Sequence, residues 1–318
     1  MIRQDTLSEA PEDLQPDLAG GHKNWLRKVI AESTQAKVGL IVLGIFVLLA
    51  IFAPLIAPYD PRTQVGPVYA PPSLRHPLGL DDGGVDMVSL LIYGGRISLI
   101  VGFAATLIAM VIGGGIGIFS GYYGGRTDQV LMRTTDYFLV IPDLPLAIIV
   151  AAVWGPSLQR LIFVIALLLW TTTARIIRAQ VKSVRERVYV KRARSLGASD
   201  FRIITRHVLP QIGPLLIANT VLTIAVAIFD ETALAFLGLA DPTSITWGTT
   251  IEFSFLRTAI SSGAWWAVIP AGLCVALVIM ACFWLGQAIE DALNPRLAAS
   301  HLSVKRFRLR PVPAKDQP

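Results

Sequence analysis

Three stretches of the chain carry no charged residue for twenty or more positions: 38–57, 97–120 and 264–289. About twenty apolar residues in a helix cross the hydrocarbon core of a bilayer while satisfying every backbone group internally, so such runs restrict the fold to a helical membrane protein. Two further segments fit the pattern, 137–159 with Asp143 inside it and 211–229 leading into Asp230 and Glu231. A shorter one, 157–174, is bracketed by Arg160 and Arg175. Composition agrees: 53% of the 318 residues are hydrophobic and 16% charged, against about 25% charged in a typical soluble domain. The expectation is an all-α integral membrane protein with six spans. The first run starts too late for a secretory signal, and the acidic, proline-containing stretch that opens the chain is not a basic n-region, so the run is read as a retained anchor.

Orientation follows from lysine and arginine, which concentrate in short cytoplasmic loops. Residues 175–210 carry ten of them against Glu186 and Asp200, whereas 154–160 has only Arg160 and 238–263 only Arg257. The basic segment is therefore assigned to the cytosol. Six spans then place both termini inside, with Lys23, Arg27, Lys28 and Lys37 before the first span and Arg296, Lys305, Arg306, Arg308 and Arg310 after the last. The net charge of +6 reflects this topology, and no nucleic-acid recognition module accompanies the basic clusters.

The resulting division is a cytosolic tail with an amphipathic helix over 1–37, a first span at 38–57, an extracytoplasmic loop at 58–96, a core at 97–291 and a cytosolic tail at 292–318. Trp25, Leu26, Val29 and Ile30 fall at helical intervals among basic residues, which suits a helix lying on the inner membrane surface. The outer loop is rich in proline at its start and is read as irregular. Gly113, Gly117 and Gly121 recur every four residues, a spacing that lets another helix approach closely. Cys274 and Cys282 lie too far apart on one helix to bridge.

Several chemistries are missing. There is no phosphate-binding GxxxxGK[ST] loop, no HExxH helix and no CxxC pair, and His22, His76, His207 and His301 are scattered. The chain carries no cofactor site of its own and no catalytic or metal-ligating set. Asp136, Asp143, Asp230 and Glu231 would be costly facing lipid, so each should face a cavity, a neighbouring helix or the interface. They serve as interhelical hydrogen-bond partners or helix caps, or, for Asp136, Asp143 and Glu231, as contacts along a translocation path. A proton-coupled carrier could also use such carboxylates.

Within the basic segment 179–210, "YVKRARSLGASDFRIITRHVLP" reads as helix, turn at Gly197, then a second helix with Ser199 at its N-cap, ending at Pro210. Two short helices with a tight corner make a protrusion suited to a socket on another protein. Here the chain resembles the permease subunits of binding-protein-dependent ABC importers. Lys191, Arg192 and Ala193 stand where that family has Glu-Ala-Ala, Gly197 at its glycine, and His207, Leu209 and Pro210 at the close of its signature. The blocks at 76–102, 121–146, 231–242, 246–248 and 291–297 resemble, in order, those of the second permease of the peptide and nickel branch, with Val85 and Leu90 where arginine is usual.

The resemblance implies a type I ABC importer transmembrane domain in a bacterial plasma (inner) membrane. It implies a second homologous permease, two ABC ATPase subunits that bind ATP and magnesium, and an extracytoplasmic binding protein that delivers di- or oligopeptides. It also implies an ATPase-coupling loop containing Ala193, Arg194, Leu196, Gly197, Ala198, Ser199, Phe201, Arg202, His207 and Pro210. Nickel chelates or other small solutes are the alternative cargo. The topology is open to direct measurement. In a background lacking Cys274 and Cys282, single cysteines at positions 75 and 200 are expected to react with an impermeant maleimide from opposite faces of the membrane. Reaction from one face would overturn the assignment.

Overall fold

The computed structural model describes residues 29–31 and 33–293, and the amphipathic segment and the far C-terminal tail expected from sequence lie outside or almost outside them. Among the described residues the chain is helical, with one isolated antiparallel bridge between Leu80 and Asp86. The helices are α1 (Thr34–Ile51), α2 (Ala53–Ile56), α3 (Met87–Tyr123), α4 (Gly125–Val140), α5 (Asp143–Trp154), α6 (Leu158–Arg185), α7 (Val188–Ser195) and α8 (Asp200–Ile203). A π turn (Ile204–Val208) leads into α9 (Leu209–Phe236), followed by α10 (Trp247–Leu256), a 3-10 turn (Trp265–Ala267) and α11 (Ile269–Leu293). Five helical segments are long and apolar enough to cross a bilayer, and α4 with α5 makes a sixth if the bent pair is one span.

The boundaries differ from the charge-free runs for identifiable reasons. Helix α1 begins at Thr34, where Ser33 Oγ accepts from the Ala36 amide (3.2 Å), and it breaks at Phe52 ahead of Pro54. Helix α3 starts at Met87 rather than 97, because Asp86 caps it by accepting from the Ser89 amide (2.9 Å). Arg96 interrupts the apolar run without interrupting the helix. The outer loop is thus 57–86, and at 37 residues α3 is roughly 55 Å long, well beyond the roughly 30 Å hydrocarbon core.

The span expected over 137–159 is bent by 86° between α4 and α5. Pro142 is the cause: the residue before a proline is pushed to extended geometry, and Ile141 has φ −81°, ψ 126°. Helix α6 runs on to Arg185, so the basic connection begins at Glu186 rather than 179. Pro210 does not end a helix but lies in the first turn of α9, where its missing amide costs little. The Leu209 amide bonds back to the Ile204 carbonyl, the wide turn that joins α8 to α9. Between 238 and 263 lies α10, with Trp247, Gly248, Thr249, Thr250 and Ser254 buried, a helix too short to stand out as an apolar run.

Glycine sets the helix contacts. A Cβ at Gly113 would meet the Trp170 carbonyl, one at Gly117 the Ala174 carbonyl at 2.6 Å and one at Gly121 the Arg178 carbonyl at 2.8 Å. The four-residue glycine repeat on α3 therefore faces a four-residue backbone repeat on α6, with the two helices in near contact. Gly39 plays the same part for α1, where a Cβ would stand 2.6 Å from the Ala281 carbonyl of α11. Replacing Gly117 by valine is expected to force α3 off α6 and to lower the yield of monodisperse protein severalfold in detergent size-exclusion chromatography. Gly115→Ala, whose added methyl would meet nothing within 4 Å, is the matched control and should elute as the unsubstituted chain does.

Candidate functional site

Helices α7 and α8 and their turn form a corner at the basic end of the bundle. Gly197 has φ +79°, the left-handed region where any side chain is strained. Around it the Ala198 amide bonds to the Ala193 carbonyl (3.1 Å) and the Gly197 amide to the Arg194 carbonyl (3.0 Å). This pair is a Schellman motif, the standard way to end a helix on glycine. Ser199 occupies the N-cap position of α8 in extended geometry, but its side chain makes no capping bond, so the expected hydroxyl cap is replaced by backbone geometry alone.

One face of the corner is anchored. Val190, Ile203 and Val208 are fully buried against Ile177, Val181 and Val184 of α6, and Ala193 and Ala198 pack on the same cluster. The other face is bare: Leu196 is 87% and Phe201 78% exposed, with Val188 at 66%. A shallow depression of about 420 Å³ is lined by Val188, Lys191, Arg192, Ser195 and Leu196. Arg194 and Arg202 are exposed, His207 lies beside Tyr189 with ring centroids 6.2 Å apart, and Pro210 is exposed at the base of α9. Lys191, at the position of the usual glutamate, pairs with Glu186 (2.9 Å), and that bond holds the Glu186 carboxyl below its ordinary range. Of the ten residues that the resemblance singles out, Ala193 and Ala198 lie on the anchored face, and Arg194, Leu196, Phe201 and Arg202 are exposed.

The corner is tied to the bundle through contacts that sequence spacing does not reveal. Tyr122 Oη, on the last turn of α3, donates to Asp200 Oδ1 (2.6 Å), and the Arg194 guanidinium lies 5.4 Å from the Tyr122 ring centroid. Arg185 Nη1 donates to the Tyr122 carbonyl (2.9 Å). A turn later Asp128 of α4 takes both Nε and Nη2 of Arg178, the Lys182 ammonium (2.7 Å) and the Ser120 hydroxyl. The 178/182 spacing on α6 is the one sequence cue to this clamp, since residues four apart share a helix face.

The acidic residues near the spans are separated. Asp136 on α4 pairs with Arg175 of α6 (2.6 Å) at an exposed position, and Asp143 is exposed in the first turn of α5. Asp230 and Glu231 are buried on α9. Glu231 Oε2 accepts from Ser98 Oγ of α3 (3.0 Å), and that same hydroxyl oxygen accepts from the Trp247 amide of α10 (3.2 Å). Trp247 Nε1 donates to the Leu91 carbonyl (2.9 Å), its ring fits beside Gly95, and Gly248 lies against Ala235 of α9. The blocks at 76–102, 231–242 and 246–248 therefore meet in space.

At the opposite end the proline-rich loop is ordered by its own acids. Asp81 Oδ1 accepts from the amides of Gly83 (2.9 Å) and Val85 (2.7 Å), although burial dominates and lifts its carboxyl above the usual value. Asp86 takes His76 Nδ1 (2.9 Å) and the Ser89 hydroxyl (3.0 Å). Tyr69 Oη donates to the Arg257 carbonyl (2.9 Å), Arg257 pairs with Asp82, and Trp266 Nε1 donates to the Leu80 carbonyl (3.2 Å). The loop is thereby fastened to the segment between α10 and α11.

Residues 113–298, from the middle of α3 past the end of α11, match the family described as the binding-protein-dependent transport system inner membrane component. The chain belongs to this family. Residues 32–72 match the N-terminal transmembrane domain of oligopeptide transport permease C. Among curated relatives, the dipeptide transport system permease protein DppC of Alkalihalophilus pseudofirmus is 35% identical over 272 residues, covering 85% of this chain and 88% of that one. DppC of Bacillus subtilis is 32% identical over 299 residues, 93% of this chain and 92% of that one. The oligopeptide transport system permease protein OppC of Bacillus subtilis is 35% identical over 265 residues, 82% and 86% respectively. This permease is a multi-pass inner-membrane protein, as the long apolar helices require. Its family consists of transport-system membrane subunits.

The contribution of the Glu231 contact is measurable in detergent-purified permease. Glu231→Gln keeps an acceptor for Ser98 and is expected to melt near the unsubstituted protein. Glu231→Leu removes the acceptor of the Ser98 hydroxyl and should lower the melting temperature by a few degrees, the size of one interhelical hydrogen bond of about 0.6–2 kcal/mol. Equal melting of both variants would show that the bond contributes nothing.

Proposed function

We propose that this chain is one permease of an ATP-driven importer for di- or oligopeptides. It forms the translocation pathway with a second homologous permease, and two ATPase subunits bind ATP and magnesium for it. An extracytoplasmic binding protein delivers the solute to the loop over 57–86. The names of the dipeptide and oligopeptide relatives support the solute class, and the lysine and arginine excess supports placing the α7–α8 corner in the cytosol. The observation that carries the reading is the corner itself: an apolar tip at Leu196 and Phe201, flanked by arginines and held on a buried root. Exposed apolar groups on a water-facing protrusion mark a protein contact.

In this reading the ATPase subunits move the corner as they close on nucleotide, and the spans pass between inward- and outward-facing states. Solute binding along the pathway is weak and tolerant of sequence, because what is carried must also be released. Asp136, Asp143 and Glu231 remain candidate contacts on that path, with Glu231 the least accessible of the three because it is fully enclosed.

Gly197→Asp tests the docking. A Cβ there would meet nothing within 4 Å in this chain, so the fold loses only the strain of a left-handed side chain, about 1–2 kcal/mol. The variant is expected to insert normally and to lose the ATPase subunits, or their stimulation, when the complex is purified through a tag on this chain. Normal ATPase recovery together with normal peptide uptake into vesicles would show that the corner is not where the ATPase docks.

A further inference from the structure

The α7–α8 corner is joined through the backbone to only two spans. It follows α6 at Glu186 and leads into α9 through the π turn. The joint to α6 is the short turn at Glu186 and Arg187, and the joint to α9 is the π turn, a wide stretch of helix. Helix α3 does not adjoin it along the chain and reaches it only indirectly, through its close packing on α6. A direct route from the corner to α3 requires a side-chain contact.

Tyr122 meets the requirement. It is 2% exposed, and its rigid ring packs in the same cluster as Val190 and Ile203 of the corner. Its hydroxyl reaches the Asp200 carboxylate at 2.6 Å, a charge-assisted bond of the stronger kind. The Arg194 cation lies over its ring. The corner therefore grips one residue of α3 from both of its helices, α7 through Arg194 and α8 through Asp200. Behind Tyr122 the chain turns at Gly124 into α4, which Asp128 locks to Arg178 and Lys182.

We propose that Tyr122 is the positioning residue through which the corner drives α3 and the bent α4–α5 pair. Its hydroxyl bond to Asp200 is the mechanical link, and the short turn at Gly124 together with the Ser120 hydroxyl bond to Asp128 passes the displacement on to α4. This rests on the docking role proposed for the corner. A purely structural Tyr122 would hold the bundle together without affecting what nucleotide does to α4.

The test measures that movement in the complete complex. In a Cys274→Ala, Cys282→Ala background, spin labels at Gln35 on α1 and Val130 on α4 report the distance between them without nucleotide and after vanadate trapping with ATP. The unsubstituted complex is expected to change distance on trapping. Tyr122→Phe keeps the ring and its packing, so the ATPase subunits should copurify and hydrolyse ATP while the trapped distance stays at its nucleotide-free value. A full change of distance in Tyr122→Phe, or none in the unsubstituted complex, overturns the proposal. Should Tyr122→Phe fail to assemble, Asp200→Ala breaks the same bond with α3 untouched, and a full distance change there is equally fatal. Failure of the docking reading is separate: Gly197→Asp would then retain the ATPase subunits, whatever the distance change in Tyr122→Phe.

Discussion

Helices inside a bilayer gain no hydrophobic free energy by meeting one another, so close backbone approach has to supply the attraction. In this chain that approach is made by Gly113, Gly117 and Gly121 of α3 against the backbone of α6 from Trp170 to Arg178. Much else follows from its register. With α6 so close, Arg178 and Lys182 reach Asp128 and Arg185 reaches the Tyr122 carbonyl at the end of α3. A side chain larger than hydrogen along the seam would displace these ion pairs along with the helices. The anchoring of the α7–α8 corner, which uses Tyr122 and the buried face of α6, depends on the same contact.

Polar groups sealed in the bundle act where apolar surface cannot discriminate. A lipid-like interior tolerates many rotations of one helix on another, whereas the Glu231–Ser98–Trp247 relay is made in only one. Hydrogen bonds of this kind between membrane helices are worth about 0.6–2 kcal/mol each. That is small for stability and enough to select a register. The relay also explains why α10, only 10 residues long and too short to span, is held firmly: its capping box, its tryptophan and its first glycine all bond or pack inward.

The sequence made legible whatever depends on runs and spacing. Absence of charge located the spans, the glycine repeat on α3 announced its close partner, and Gly197 marked the corner whose turn does require positive φ. What it hid depends on partners distant along the chain. Asp128 lies 50 residues from Arg178, and Tyr122 lies 78 from Asp200. No pattern within either segment names the other. Boundaries failed where a helix ignores a charge, as α3 does at Arg96, or where a proline divides an apolar run, as Pro142 divides the third span. Ser199 shows a third kind of miss: the right residue for a cap stands in the right place, and the Schellman turn leaves its hydroxyl unused.

The π turn at Ile204–Val208 gives the chain one residue more at the root of α9 than a regular helix would hold there. Each residue of an α-helix advances its faces by about 100°. The surplus residue therefore acts as a phase setting: it fixes the direction in which every later side chain of α9 points relative to the cytosolic corner. With the turn ironed out, Glu231 would swing away from Ser98 and a different stripe of α9 would face α3 and α11. Deleting one residue from this root would force the fifth span to re-register or to lose the polar seam, since every later face of α9 would turn by about 100°.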